Sequence, residues 1–266
     1  MQSPKAALFD LDDTLAESFR PPAHGMIERL LALLEHVPVA IISAAGFARI
    51  ETEFLDQMAI SPHISRFYVF PNSASQCFIR EESGWRLEYS LDLSPQDRAA
   101  IQEAISESLA ETGIIEPHPK YAPQIIDRET QVAFTAMGFN AETAAKSAWD
   151  PDQSKRRTLK QAIERRIPDF EVLIGGKTTI DVTHKGVDKA YGVNWLSKRL
   201  GAPASDMLYV GDALYEGGND AVVIPTGIQT RSVTGPDDTA VIIDELLAQL
   251  SKNTKDSPPY TEGSPS

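Results

Sequence analysis

Along the first seventy residues, short apolar runs alternate with segments whose apolar positions recur every three or four residues. The runs "KAALFDL", "VPVAIISAAG" and "RFYVFPN" have the bulk and length of buried strands, whereas "GMIERLLALLEH" and "FARIETEFLDQM" carry helical spacing. Strands alternating with helices predict a parallel sheet covered by helices. From about Asn72 the pattern changes. "SQCFIREESGWRLEYSLDL" alternates and turns at Ser83-Gly84 like a hairpin, "SPQDRAAIQEAISESLAETG" reads as a capped helix, and "FEVLIGGKTTIDVT" as a pair of strands. Residues 73–183 therefore read as an α+β module with antiparallel strands, inserted into an α/β core formed by 1–72 and 184–250. The core style resumes with the helix "VDKAYGVNWLSKRLG", the strand "MLYVGD" and the helix "DTAVIIDELLAQL". Residues 251–266 are rich in Ser, Pro and Gly and are expected to be disordered.

A chain of 266 residues can bury a large core, and its net charge of -13 changes which partners suit it. Nucleic acid and anionic membranes are disfavoured, and a phosphate substrate needs locally placed cations. The single cysteine, Cys77, allows no internal disulfide, and the five histidines are scattered without zinc spacing. No apolar stretch has the length of a signal peptide or membrane span, so a cytoplasmic setting is expected.

Carboxylates then gather where the strands end. In "LFDLDDTL" a buried strand runs into Asp10 and Asp12, whose spacing points both side chains the same way on an extended chain. In "MLYVGDALYEGGND" a second strand runs into Asp212, with Asp220 beyond it. Ligands of parallel sheets collect at the carboxyl ends of strands, so Asp10, Asp12 and Asp212 should converge. A hard divalent cation, Mg²⁺ by preference, relieves their repulsion. Ser43 ends the strand "AIIS" with a hydroxyl able to donate to phosphate, and Lys189 opens a helix where its ammonium can neutralise phosphate charge. Two other stretches carry less. "GGKTT" lacks the earlier glycine of a nucleotide-binding loop, and the basic run "SKRRTLKQAIERR" reads as a solvated helix face.

Taken in order, "DLDDT", Ser43, Lys189 and "GDALYEGGND" resemble the four motifs of the haloacid dehalogenase superfamily of phosphotransferases, subclass IIB, with an α/β cap between the second and third motifs. Within it, "GGKTTIDVTHKGVDK", the spacer "LYEG" and "SVTGPDDT" are similar to the eukaryotic-type phosphomannomutases. The resemblance implies a Rossmann-like core with an inserted cap, Asp10 as nucleophile and Asp12 as general acid and base, also giving its backbone carbonyl to the metal. It further implies Asp212 as a direct Mg²⁺ ligand, Asn219 and Asp220 around the metal's waters or loops, and Ser43 and Lys189 on the phosphoryl group. In the cap it implies substrate contacts from Arg128, Thr179, Asp181 and Lys146, with Phe139 where a second arginine stands in the mutases. A bisphosphate held by fewer cations escapes before turning over, so hydrolysis of a small phosphorylated sugar is expected ahead of mutase activity. A non-catalytic sugar-phosphate sensor has no use for Asp12. In the mutases the cap mediates dimers, and a homodimer is the corresponding expectation here.

Overall fold

The computed structural model describes residues 3–18, 20–58, 61–114, 121 and 123–255. Its first elements are β1 (Ala7–Phe9), α1 (Met26–Leu34), β2 (Val39–Ile42), α2 (Phe47–Glu53) and β3 (Phe67–Phe70). The hairpin β4 (Gln76–Glu81) and β5 (Gly84–Ser90) follows, then α3 (Pro95–Thr112), β6 (Ile125–Asp127) and β7 (Val132–Thr135). Next come α4 (Thr143–Trp149), α5 (Ser154–Arg166), β8 (Phe170–Gly175) and β9 (Thr179–His184). The chain closes with α6 (Lys189–Leu200), β10 (Leu208–Gly211), β11 (Gln229–Ser232) and α7 (Pro236–Lys255).

Two sheets result, one of seven strands in the order β11-β10-β1-β2-β3-β4-β5 and one of four in the order β6-β7-β9-β8. The first is parallel from β11 to β3 and antiparallel at the hairpin. Because side chains alternate along a strand, Ala7 and Phe9 of β1 face a core shared with Leu30, Ile50 and Ile243 of α1, α2 and α7, while Leu8 faces Val193 and Leu196 of α6. Both faces are covered, which is why these strands read as continuous apolar runs. The four-stranded sheet is antiparallel and packs Val132, Phe134, Val172 and Ile180 against Ile101 and Ile105 of α3 and Leu159 and Ile163 of α5. Ser94 caps α3 through a reciprocal bond with Asp97, and Gly113 closes it in the left-handed region at φ 66°.

Two expectations change. The hairpin 76–90, expected in the inserted module, extends the seven-stranded sheet instead, because Tyr68 and Val69 of β3 offer an open edge to Ile79 and Phe78. In the tail, α7 continues to Lys255, since Leu250 still packs into the core and anchors the last turns of the helix. The rest of the expected disordered tail, 256–266, lies outside the described residues. Among those residues no helix is long and apolar enough to cross a membrane.

Candidate active site

β1 ends at Phe9 and β10 is its parallel neighbour, so the carboxyl ends of these strands bring Asp10 and Asp212 side by side. The Asp10 N–H donates to the carbonyl of Val210 at 2.9 Å, and that of Asp212 to Thr14 Oγ1 at 3.1 Å. Lys189 enters from the first turn of α6, whose amino end is held by the Asp188 carboxylate accepting from the N–H groups of Ala190 and Tyr191. Its Nζ donates to Asp10 Oδ1 and to Asp220 Oδ1, both at 2.6 Å. Asp220 also accepts from the Tyr209 hydroxyl at 2.6 Å and the Ala213 N–H at 3.0 Å. With both its oxygens engaged, Asp220 holds the Lys189 ammonium and the loop after β10 in place.

Oxygens of Asp10, Asp212 and Asp220 lie within 4.8 Å of one another, an all-oxygen donor set of the kind a hard divalent cation takes. Burial, and then the charges of Asp220 and Asp212, push the Asp10 carboxyl well above its ordinary value against the pull of Lys189. Burial and the Asp220 charge likewise raise Asp212 to about 6. Lys189 is driven the other way: burial lowers it, but Asp10 and Asp220 together carry it above its ordinary value. One ammonium among three acids leaves negative charge in excess, and a cation between Asp10 and Asp212 would return both to the ionised form.

A cavity of about 310 Å³ opens over this floor and is lined by Asp10, Asp12, Ser43, Asp212 and Asn219. Ser43 is buried, its Oγ accepting from the Ala45 N–H at 3.1 Å. A smaller cavity of about 90 Å³ adjoins it toward the module and is lined by Arg128, Phe139, Lys146, Thr179 and Asp181, with Asp12 on its border. Every residue singled out from the sequence thus lies in one of the two cavities or in the network bonded to Asp10. The module's groups are held differently from the floor. Arg128 Nη1 donates to the Ala44 carbonyl at 3.0 Å and to Gln131 Oε1 at 2.6 Å, and Lys146 Nζ donates to the Phe139 carbonyl at 2.8 Å. Asp181 is buried with neither oxygen hydrogen-bonded, and burial raises it to about 7 although Arg128 opposes the shift.

A family model described as eukaryotic phosphomannomutase matches residues 122–249. The phosphomannomutase of Spinacia oleracea is 23% identical over 239 residues, covering 88% of this chain and 92% of that enzyme, and the one from Encephalitozoon cuniculi is 24% identical over 250 residues, covering 91% and 93%. Among solved structures, an IMP-bound Plasmodium falciparum IMP-nucleotidase superposes with a TM-score of 0.67 at 18% identity over 93% of this chain and 69% of that one. A haloacid dehalogenase-like hydrolase from Bacteroides thetaiotaomicron gives 0.57 at 12% identity over 94% and 99%. The chain is thus similar to the phosphomannomutases over most of its length and shares its fold with a haloacid dehalogenase-like hydrolase. Two cations of the site have no counterpart in the sequence analysis. Arg49, on α2, holds Asp12 by two bonds, Nη2 to Oδ1 at 2.5 Å and Nη1 to Oδ2 at 3.0 Å. Lys177, in the β8–β9 turn, pairs with Asp13 at 3.0 Å and lines both cavities. Lys177 belongs to the "GGKTT" stretch set aside above, and Arg49 follows Ser43 by six residues. Both sit one short step from a motif residue, which is the signal that could have found them.

Proposed function

We propose that this enzyme is a Mg²⁺-dependent phosphatase that hydrolyses a small phosphorylated sugar through an aspartyl-phosphate on Asp10. The observation that carries hydrolysis ahead of mutase chemistry is the module side of the site. There Phe139 offers no guanidinium, the Arg128 Nη1 is spent on Ala44 and Gln131, and Asp181 presents a carboxyl group without a partner. A doubly charged phosphate is poorly received beside a buried acid, whereas sugar hydroxyls or a singly charged group can bond to it.

Asp10 and Asp212 would hold the metal, with the Asp12 backbone carbonyl and Asn219 completing its surroundings and Asp220 fixing Lys189. Bound there, Mg²⁺ would offset the charge that builds on the transferring phosphoryl group. The remaining steps belong to the chain. Asp10 attacks phosphorus and the bond to the sugar oxygen breaks, while Asp12 gives its proton to that departing oxygen. Asp12 then takes a proton from the water that attacks the acyl phosphate, which releases inorganic phosphate and restores Asp10. Lys189 and Ser43 hold the phosphoryl oxygens throughout. Thr179, Asp181, Arg128 and Lys146 meet the sugar from the inserted module, whose limits we place at about 91–183 because the hairpin belongs to the core sheet.

The similarity to named phosphomannomutases over most of the chain favours a second reading, interconversion of mannose 1-phosphate and mannose 6-phosphate. One assay separates the two. Mannose 1-phosphate supplied with catalytic glucose 1,6-bisphosphate is expected to yield inorganic phosphate. Accumulation of mannose 6-phosphate instead would establish the mutase.

A further inference from the structure

The bidentate pair between Arg49 and Asp12 occupies both oxygens of the carboxylate that the proposed reaction needs at the departing sugar oxygen. The third guanidinium donor, Nε, is tied to Glu53 at 2.8 Å, so the fork is aimed at Asp12 from a fixed base on α2. While Arg49 stays there, each Asp12 oxygen gives one of its lone-pair sites to the guanidinium, and the carboxylate is not free to turn toward a leaving oxygen. The pair is reachable, with 15% of the Arg49 side chain and 31% of that of Asp12 exposed at the mouth. It also borders the 90 Å³ cavity into which Arg128, Lys146 and Lys177 face. Four cations around so small a space, in a protein of net charge -13, mark a place for an anion. Of the two acids that line it, Asp12 is held by Arg49, whereas Asp181 has no hydrogen-bond partner on either oxygen and can donate from its protonated form to an incoming oxygen.

We propose that Arg49 is a positioning residue that withholds Asp12 until a carboxylate on the phosphorylated sugar enters the cavity between Arg49, Arg128 and Lys177, draws the guanidinium away and frees Asp12 to act. The inference rests on the phosphatase reading and narrows its substrate class to phosphorylated sugar acids. A carboxylate suits the space better than a second phosphoryl group on two counts. It is small and singly charged beside Asp181, and its planar pair of oxygens matches the guanidinium fork that the Asp12 carboxylate now fills. It also cannot return a phosphoryl group, so hydrolysis is the only outcome left to the aspartyl-phosphate.

The test compares 6-phosphogluconate, glucose 6-phosphate and glucose 1,6-bisphosphate on the wild-type enzyme and on Arg49→Gln and Arg49→Lys, with p-nitrophenyl phosphate as a probe of Asp10 alone. Wild type is expected to turn over 6-phosphogluconate with a kcat at least tenfold above that for glucose 6-phosphate. Arg49→Gln should erase the preference from both directions, raising kcat for glucose 6-phosphate several-fold because Asp12 is no longer held, and raising KM for 6-phosphogluconate. Arg49→Lys, which keeps a cation but not the fork, should fall between, and it decides the matter if the glutamine variant does not fold. Equal loss on both substrates would make Arg49 merely structural and overturn the proposal, as would a wild type indifferent to the carboxylate. A wild type that favours the bisphosphate overturns it too, by assigning the cavity to a phosphoryl group. If p-nitrophenyl phosphate gives neither a nitrophenol burst nor turnover on any of these enzymes, the phosphatase reading itself falls and the inference with it.

Discussion

Beneath the cavity Asp10, Lys189, Asp220 and Tyr209 bond one another at 2.6 Å, whereas across it, on the inserted module, Asp181 keeps both oxygens unbonded in an equally buried place. The floor is built by neighbouring strands and the first turn of a helix, elements whose positions the sheet fixes before any ligand arrives. The module side keeps polar groups poorly satisfied, at a cost of about 1 to 3 kcal/mol for each buried group left without a partner. A fold keeps such groups where a ligand completes them. The chemistry is therefore preset on the floor, and the choice of substrate is left to the other side.

The largest test of this contrast removes the floor's central group. Asp10→Asn is expected to abolish turnover, by about 10⁴-fold or more, without recovery in excess Mg²⁺, while Asp212→Asn loses comparable activity and recovers part of it. Steady-state phosphate release across a Mg²⁺ titration reads both, and equal recovery would remove the metal from Asp212.

Asp12→Asn should lose sugar-phosphate turnover by roughly 10² to 10⁴-fold, the scale of general acid-base catalysis. With p-nitrophenyl phosphate, whose leaving group needs no proton, the variant should release a burst of about one nitrophenol per site and stall as a phosphoenzyme, since no base activates water. A uniform loss without a burst would assign Asp12 a structural role.

Removing Lys189 leaves two buried carboxylates facing each other. Lys189→Met should cost about 3 to 5 kcal/mol of stability, the range for an abandoned buried ion pair, and added Mg²⁺ should restore part of it by offsetting the same charges. Thermal melts with and without the metal measure this, and an unchanged melting temperature would mean that the network contributes nothing to the fold.

The subtlest test concerns Asp181, raised to about 7 by burial. Between its ordinary value near 4 and pH 7, the folded chain holds a proton that the unfolded chain has lost, so folding stability falls as pH rises across that window and levels off above it. Asp181→Asn removes the dependence, and the variant should gain up to about 4 kcal/mol over wild type at pH 8 while matching it near pH 4. Denaturant titrations at the two values check this. A variant less stable than wild type at pH 8 would mean that Asp181 has a partner in solution.

Much of the floor was legible in the sequence because strand ends have a chemical signature, apolar runs terminating in Asp10, Ser43 and Asp212. The module side was legible only as resemblance. Arg49 shows why. On a helix with Glu51 and Glu53 it reads as one more solvated charge, and only the approach of α2 to the loop after β1 turns it toward Asp12. The hairpin went astray for a related reason: alternation in "SQCFIREESGWRLEYS" announces strands but is silent on which sheet edge they join. Lys177 was read as part of a failed loop motif, because its partner Asp13 lies far away in sequence and sits at φ 58° in a turn that local pattern does not predict.

One pairing has a consequence for how the protein is made. β1 sits between β2 and β10, and the bond from Lys189 to Asp10 joins residues 179 positions apart. As the chain leaves the ribosome, β1 and β2 can pair early, and the four-stranded sheet can close on itself, yet the nucleophile's strand keeps one open edge until nearly the whole sequence has emerged. Such distant pairing is slow, and an exposed apolar edge invites association with other chains in the meantime. Synthesis interrupted between β9 and β10 would leave a nascent chain with its inserted module complete and its reactive aspartate facing solvent, inert as an enzyme and a natural client for chaperones.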